Sequence, residues 1–340
     1  MSRKKEHPIQ QYGKIALRWV DMYTGRFVIG ILLIVASIIM VTEPAWFVSM
    51  IDALRIPYAV FLVAFIMFFF LRGNYALATA GGIAFAIIAP GLWRYWKPAN
   101  ETPAAMHADK HEIINADFTV LHFNVKEKNK HIASVAEAAL EANATIVSLQ
   151  ELRPESFPVV DSMLRKAYPY SFVSLKYPGY GIALYAQVPF TDTLTLVSNN
   201  FPVLHGTVRI KDTDIHIFAA TTSTPTNEKD YKRQAQEFSF ITDQILLIQK
   251  PCMLMGDLNA VPWSEHIEKL LQATGLRDSR KDLAGTYPAQ SPMQIPIDYI
   301  FHSKHIRCAE FTTVGGTTSN HLGLLGAYTL APEKKSPREP

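Results

Sequence analysis

Cysteine is almost absent: Cys252 and Cys308 are the only two in 340 residues. Two thiols cannot build the disulfide framework of a small secreted scaffold. Each lies inside an apolar run that reads as a strand, so both read as buried small hydrophobes. They carry no information about redox compartment. A large charge imbalance is missing too. The formal net charge of +3 is too small to argue by itself for a nucleic-acid partner. No segment repeats elsewhere in the chain, which excludes a solenoid or repeat array.

Charge is missing altogether from three long runs near the N-terminus: residues 27–42, 56–71 and 75–93. The apolar content of 49% is at the top of the globular range, and these runs supply the excess. A spanning helix needs about 20 residues, within a tolerated range of about 17–25. The first two runs are a little short, but Arg26 and Arg55 can snorkel and extend them. None has a polar face, which argues against buried helices of a soluble domain. Glu43-Pro44-Ala45-Trp46 is a poor cleavage site, which argues against a signal peptide. Only Arg72-Gly73-Asn74 separates the second run from the third, so these two form a helical hairpin.

The chain therefore divides into five parts. A basic N-terminus, 1–26, precedes a membrane domain, 27–96, with three transmembrane helices at about 27–43, 56–71 and 75–93. A polar linker with two prolines, 97–116, follows. A folded domain covers 117–331, and residues 332–340 read as a disordered tail. Arg3, Lys4, Lys5, Lys14, Arg18 and Arg26 precede the first helix, and Arg72 lies in the hairpin turn. Positive loops stay in the cytoplasm. That places the N-terminus inside and, after three crossings of the lipid bilayer, residues 117–331 outside. Arg94 and Lys97 weigh against this orientation. Trp46, Trp93 and Trp96 fall where an interfacial aromatic belt is expected.

After the linker the pattern alternates. Residues 118–125 predict a strand, 130–142 an amphipathic helix, 145–149 an apolar strand and 154–166 a helix. Five strand-like runs follow at 170–175, 181–187, 193–197, 204–210 and 214–220. Residues 228–249 predict a long helix and 253–255 a short apolar strand. Runs at 297–302, 308–314 and 325–330 close the domain as strands. A strand–helix start followed by hairpin-like strands points to a mixed sheet covered by helices.

Polar residues that end apolar strands are held rigidly, and sheet ends are where sites are built. Asn124 ends Leu121-His122-Phe123-Asn124, and Glu151 ends Val147-Ser148-Leu149-Gln150-Glu151. Met253-Leu254-Met255-Gly256-Asp257-Leu258-Asn259 ends in an Asp-x-Asn pair whose alternation puts both side chains on one face. Asp298 starts a strand after Pro296, and Ser319-Asn320-His321 precedes the last one. Singly, each has a plain reading, because Asp and Asn cap turns by bonding their own backbone. Together they form the oxygen-rich set that a hard cation such as Mg²⁺ favours.

These motifs resemble the endonuclease/exonuclease/phosphatase superfamily. The resemblance rests on Asn124 in HFNV, Gln150-Glu151 in SLQEL, GDLNA at 256–260, IDYIF at 297–301 and SNH at 319–321. The order and spacing agree over nearly all of 117–331, and the membrane segment ahead of the domain looks like a bacterial membrane-anchored branch. The resemblance implies an α/β four-layer sandwich, with two packed mixed β-sheets flanked by helices, behind three transmembrane helices. It implies a phosphoester hydrolase with Mg²⁺ or Mn²⁺, in which Glu151 holds the metal with Asn124 and Asn320. Asp257 would orient or deprotonate the attacking water. Asn259, with Asn124 and Ser223, would contact the phosphate. Asp298 would pair with His321, which would polarise the water or meet the phosphorane charge. It also implies a bacterial inner membrane as the location, with no obligate protein partner evident.

Two positions depart from the family pattern. Ser223, in Ala220-Thr221-Thr222-Ser223-Thr224-Pro225, stands where a histidine is usual. A serine can donate a hydrogen bond but is no acid near neutral pH. Asn320 stands where an aspartate is usual and brings no charge.

Substrate is less legible. Lys126, Lys128 and Lys130 fit a phosphate backbone or a solvated helix start equally well. Tyr287 fits a base-stacking ring or a core aromatic. The readings carried forward are a nuclease-type phosphodiesterase, a phospholipid or phosphosugar phosphoesterase, and a catalytically degenerate membrane-bound binding module.

Overall fold

The computed structural model describes residues 25–37, 46–96, 116–248, 250–280 and 284–331. The basic N-terminus up to residue 24, residues 38–45, the linker from 97 to 115 and the tail from 332 lie outside the described residues. The chain divides into two compact units, Met1–Arg94 and Tyr95–Pro340.

The N-terminal unit is helical. The described part of its first helix is α1, Gly25–Ser37. It is followed by α2 (Trp46–Ala53), α3 (Arg55–Leu71) and α4 (Tyr75–Trp96). Its interior is Leu32, Ala36, Ala59, Leu62, Ala84 and Ile88. The Tyr58 hydroxyl donates to the Leu32 carbonyl at 2.8 Å. Helices α3 and α4 run antiparallel: Gly81 packs on Phe65 and Ile66, and Gly91 lies against the Arg55 guanidinium. Small residues at these contacts let the helices approach closely. Among the described residues only α4, over Tyr75–Trp93, is by itself long and apolar enough to cross a bilayer. Helices α2 and α3 pass the same test jointly, as a pair bent by 55°. Of the three spans expected, length and composition give one or two among the described residues, and the first run continues from 38 to 43 outside them. Helix α2 was not foreseen; it joins α3 at a bend where Arg55 Nε donates to Asp52 Oδ1 at 2.7 Å.

The C-terminal unit holds twelve strands and four helices among the described residues. In chain order these are β1 (Phe118–Asn124), α5 (Ala133–Ala142), β2 (Ile146–Gln150), α6 (Phe157–Leu164), β3 (Tyr170–Ser174), β4 (Ile182–Ala186), β5 (Phe190–Ser198) and β6 (Phe201–Ile210). Then come β7 (Thr213–Ala219), α7 (Glu228–Leu246), β8 (Cys252–Asp257), α8 (Glu265–Thr274), β9 (Arg277–Asp278), β10 (Asp298–His302), β11 (Ile306–Val314) and β12 (Gly323–Leu330). They make two six-stranded sheets, β11-β12-β1-β2-β4-β3 and β5-β6-β7-β8-β10-β9. Both are mixed: β1 runs parallel to β2, and β7 to β8, while the other pairs are antiparallel.

Strand alternation sorts the side chains into three cores. Val120, Ile146, Leu184, Ile217, Met255 and Ile300 meet between the sheets. Leu121, Phe123, Val147 and Leu149 face α5 and α6 through Val135, Ala139 and Val160. Phe218, Leu254, Tyr299 and Phe301 face α7 and α8 through Phe238, Ile241 and Ile267. The result is helices, sheet, sheet, helices, the four-layer sandwich expected. Helix α8 was not foreseen. It starts at Ser264, whose hydroxyl accepts from Ile267 N at 3.4 Å, and stops at Gly275 with φ 68°. Both cysteines are free; Cys252 is buried in β8 and Cys308 half-buried in β11.

Candidate active site

At one end of the inter-sheet core the inward-facing side chains change from apolar to polar. On β1 the inward series Phe118, Val120 continues as His122 and Asn124. On β2 Ile146 is followed by Ser148 and Gln150, and on β8 Met253 and Met255 by Asp257. Strand pairing sets Asn124 opposite Gln150 in one sheet and Asp257 opposite Asp298 in the other.

Asn124 joins carboxylates from both sheets. Its Nδ2 donates to Glu151 Oε1 at 2.8 Å and to Asp257 Oδ2 at 2.9 Å. Its Oδ1 accepts from Lys126 N at 2.9 Å. The second Glu151 oxygen accepts from Glu127 N at 2.9 Å. Glu151 adopts φ 60°, a left-handed conformation that non-glycine residues keep only where their surroundings impose it. Gln150 ties the sheets together: its Nε2 donates to Ala220 O at 2.9 Å and its Oε1 accepts from Asp257 N at 2.9 Å. Gly256 is required beneath that amide, because a Cβ would overlap the Ala220 carbonyl oxygen.

Asp298 and His321 form the second half of the site. His321 Nδ1 lies 2.9 Å from Asp298 Oδ2, and its Nε2 3.8 Å from Asp257 Oδ2. Ser319 fixes the loop that carries the imidazole. Its hydroxyl donates to Asn124 O at 2.7 Å and accepts from His321 N at 3.1 Å. The Tyr287 ring packs on His321, 4.8 Å between centroids at 40°. That contact places Tyr287 at the site, against the imidazole. Asp257, Asp298 and His321 each offer a ligand atom within 4.8 Å of the others.

These charges interact strongly. Burial, and then the Asp298 carboxylate, push Asp257 up to about 7. Burial works against the Asp298 charge as well, but His321 and the neighbouring His122 hold its carboxyl well below the usual carboxylate range. Burial also opposes the imidazolium of His321, yet Asp298 and Asp257 outweigh it and lift the group to about 9.

Asn259 lies beside this set with φ 46°. Its N–H donates to Asp257 Oδ1 at 3.0 Å and its Nδ2 to Thr222 O at 2.9 Å. Its Oδ1 accepts from Thr224 Oγ1 at 2.9 Å. Ser223, between these threonines, turns away. Its hydroxyl donates to the buried Glu237 Oε1 at 2.7 Å and accepts from Arg233 Nε at 2.6 Å. A hydroxyl has one proton, and here Glu237 takes it. Asn320 keeps its Oδ1 buried with no hydrogen-bond partner among the described residues. Lys126, Lys128 and Lys130 are all exposed. A cavity of about 240 Å³ opens beside Glu151, walled by Arg153, Leu175, Tyr177, Pro178 and Gly181.

Two neighbours were given no role by the sequence reading. Gln150 is the link between the sheets just described. His122 is fully buried, with Nε2 3.4 Å from Asp298 Oδ1 and Nδ1 3.4 Å from Ser148 Oγ. Its signal was available: it shares the strand face of Asn124, two residues away.

A family model described as the Endonuclease/Exonuclease/phosphatase family matches residues 121–321. That is more than half of the chain, and the chain belongs to this family. An endonuclease/exonuclease/phosphatase from Beutenbergia cavernae shares the fold at TM-score 0.54 and 18% identity, covering 63% of this chain and 71% of its own. TDP2 from D. rerio, solved with a single-strand DNA product, gives TM-score 0.52 and 15% identity over 62% of this chain and 98% of its own. The human Nocturnin catalytic domain with bound sulfate gives 0.51 and 16% over 63% and 94%. Among curated protein sequences none matches. Family membership makes the chain an enzyme of the phosphoester-hydrolase class.

Proposed function

We propose that this chain is a membrane-anchored, divalent-metal-dependent phosphodiesterase of the nuclease type. The observation that carries the reading is the meeting of Asn124, Glu151, Asp257, Asp298 and His321, drawn from both sheets, around one buried cluster of charge. Three carboxylates face one imidazolium there, so the balance favours an added cation. The Asn124 amide nitrogen already occupies a point between two of those carboxylates, where positive charge is stabilised. The oxygen donors suit Mg²⁺ or Mn²⁺. Glu151, with Asn124 and the unpartnered Asn320 oxygen, would hold it. Glu151 is the half-buried carboxylate of the three, while Asp257 and Asp298 are buried and Asp298 Oδ2 is engaged by His321 Nδ1, so Glu151 is the one an incoming cation meets first. A bound cation would polarise a phosphoryl oxygen and lower the pKa of an attacking water.

The chain's own residues supply the rest. Asp257 orients the water and takes its proton at Oδ2. Asn259 has a second amide proton, beyond the one given to Thr222 O, to donate to a non-bridging oxygen. Asp298 fixes the His321 ring through Nδ1. Nε2–H then faces the charge that develops on the phosphoryl oxygens. Ser223 acts on the phosphate only indirectly in this reading, by fixing the segment that holds Asn259.

The membrane anchor is supported by the outer surface of the N-terminal unit. Phe61 is 50% exposed, Phe68 57% and Phe70 60%, a surface that water disfavours. We further propose three crossings of a bacterial inner membrane, with the N-terminus cytoplasmic and residues 117–331 outside. A reporter fused after residue 100 that is active only in the cytoplasm overturns that topology.

The DNA product bound by the TDP2 relative supports nucleic acid as substrate. The exposed apolar helices support a second reading, hydrolysis of phospholipid head groups. The full chain in lipid nanodiscs, offered single-stranded DNA, RNA, phospholipid and small phosphate esters with and without Mg²⁺ or Mn²⁺, decides between them. Turnover that needs the cation and is lost in Asp257→Ala is expected. A folded chain that hydrolyses none of these substrates sinks the proposal.

A further inference from the structure

Four polar side chains lie buried between the sheets in a row that leads away from substrate. Ser148 Oγ is 3.4 Å from His122 Nδ1, and His122 Nε2 is 3.4 Å from Asp298 Oδ1. Asp298 Oδ2 is 2.9 Å from His321 Nδ1. Ser148, His122 and Asp298 are 0% exposed and His321 5%. Ser148 and His122 belong to one sheet, Asp298 to the other. Neither His122 Nε2 nor Asp298 Oδ1 has an aligned hydrogen-bond partner among the described residues, and the two face each other at 3.4 Å.

We propose that His122 is a positioning residue for the reaction, acting through Asp298. The physical case is rotational. A carboxylate held at one oxygen only can turn about its χ2 torsion, which is broad and soft. Asp298 must hold the His321 ring in one plane and one tautomer if Nε2 is to meet the reacting oxygens. Gripping Oδ1 from below fixes the carboxylate plane, and through Oδ2 the ring. Ser148 completes the arrangement: its O–H donates to Nδ1, so the ring proton sits on Nε2 and points at Asp298. The sequence pattern agrees. The inward series of β1 is otherwise apolar until Asn124, and burying an imidazole there without a partner is costly. An aliphatic side chain serves packing better; the histidine serves the carboxylate.

This inference rests on the hydrolase reading, so its test has one readout that does not need turnover. The variants are His122→Leu, which keeps bulk and removes the donor, and His122→Gln, whose amide can replace Nε2–H. Ser148→Ala weakens the same chain at its far end. All are made in the full chain in nanodiscs, with bis(p-nitrophenyl) phosphate and Mn²⁺ as the probe. Expected is a kcat about 10–100-fold lower in His122→Leu, the range typical of residues that orient a site histidine, with KM unchanged. His122→Gln recovers most of that loss, and Ser148→Ala shows a smaller drop in the same sense. In parallel, the low-field Nδ1–H resonance of His321 in histidine-labelled protein shifts or broadens in His122→Leu and is kept in His122→Gln. A resonance unmoved in His122→Leu overturns the inference, whether or not the wild type turns over the probe. Equal losses in the Leu and Gln variants also overturn it, by reducing His122 to packing. If His122→Leu does not fold, Ser148→Ala and His122→Gln decide on the same two readouts: an unchanged kcat and resonance in Ser148→Ala, or a full loss in His122→Gln, rejects it. A wild type with no turnover but the expected resonance changes rejects the hydrolase reading and leaves the clamp standing.

Discussion

The two units of this chain treat apolar side chains in opposite ways. In the N-terminal unit Leu71 is 81% exposed, Phe27 69% and Met67 60%, while half of its small interior cluster is alanine: Ala36, Ala59 and Ala84. In the C-terminal unit Phe123, Phe218, Phe301 and Tyr299 are sealed inside, and what converges at the end of the core is polar. The first pattern is what the proposed membrane anchor calls for, and the second is that of a domain packed in water. Catalytic charge can be concentrated only in the second, where packed sheets hold it still and the aqueous phase supplies ions.

That contrast can be tested from either side. The largest effect is expected at the site: Asp257→Asn removes the base and lowers kcat by about 10²–10⁴-fold, while the chain stays membrane-bound. A kcat within tenfold of wild type would place the base elsewhere. Next is the core between the sheets. Ile300 is 0% exposed, so Ile300→Ala costs the C-terminal unit about 2–5 kcal/mol in denaturant unfolding. A loss below about 1 kcal/mol contradicts the two-sheet packing. The counterpart in the other unit is Val63→Arg at the middle of α3, where Val63 is 44% exposed. In a bilayer this costs about 2.5–3.5 kcal/mol of insertion free energy. Recovery in alkaline-washed membranes should fall, and the recovered protein should hydrolyse normally. Unchanged recovery means that α3 does not meet lipid.

The smallest effect is on pH. With Asp257 pushed up to about 7 and His321 to about 9, the base is ionised above the first value and the imidazolium kept below the second. kcat/KM measured in limiting metal should therefore rise about tenfold per pH unit below about 7 and fall similarly above about 9. A bound divalent cation stabilises ionised Asp257 and repels the His321 imidazolium, so saturating metal moves both limbs to more acid pH. A profile that falls through 7 would exchange the roles of the two groups.

Much of this was readable from residues alone, for a physical reason. Strands buried on both faces are near-continuous apolar runs, so the polar residue that ends each one stands out. Asn124, Glu151, Asp257 and Asp298 were found that way. The sequence predicts Ser223 as a phosphate donor, but the proton of its hydroxyl goes to Glu237, fourteen residues on and one turn beyond Arg233 along α7. Glu237 lies on the buried stripe of α7 with Gln234 and Ile241, but a glutamate in that stripe does not by itself say which hydroxyl it will meet. His122 was passed over because its neighbours, Leu121 and Phe123, make the segment read as an ordinary core strand. Helix α8 is short and only weakly apolar, and its cap at Ser264 was the better clue.

Three residues, Arg72-Gly73-Asn74, join α3 to α4, and the two helices pass antiparallel, Phe65 beside Gly81 and Arg55 beside Gly91. A chain that descends one and climbs the other finishes on the side where it started. The hairpin therefore cancels from the parity of the topology, however deep it sits and however sharply α2 bends into it. Under the proposed anchoring, the compartment that meets the hydrolase then depends on a single binary choice made upstream, whether the segment that begins with α1 makes one passage or none.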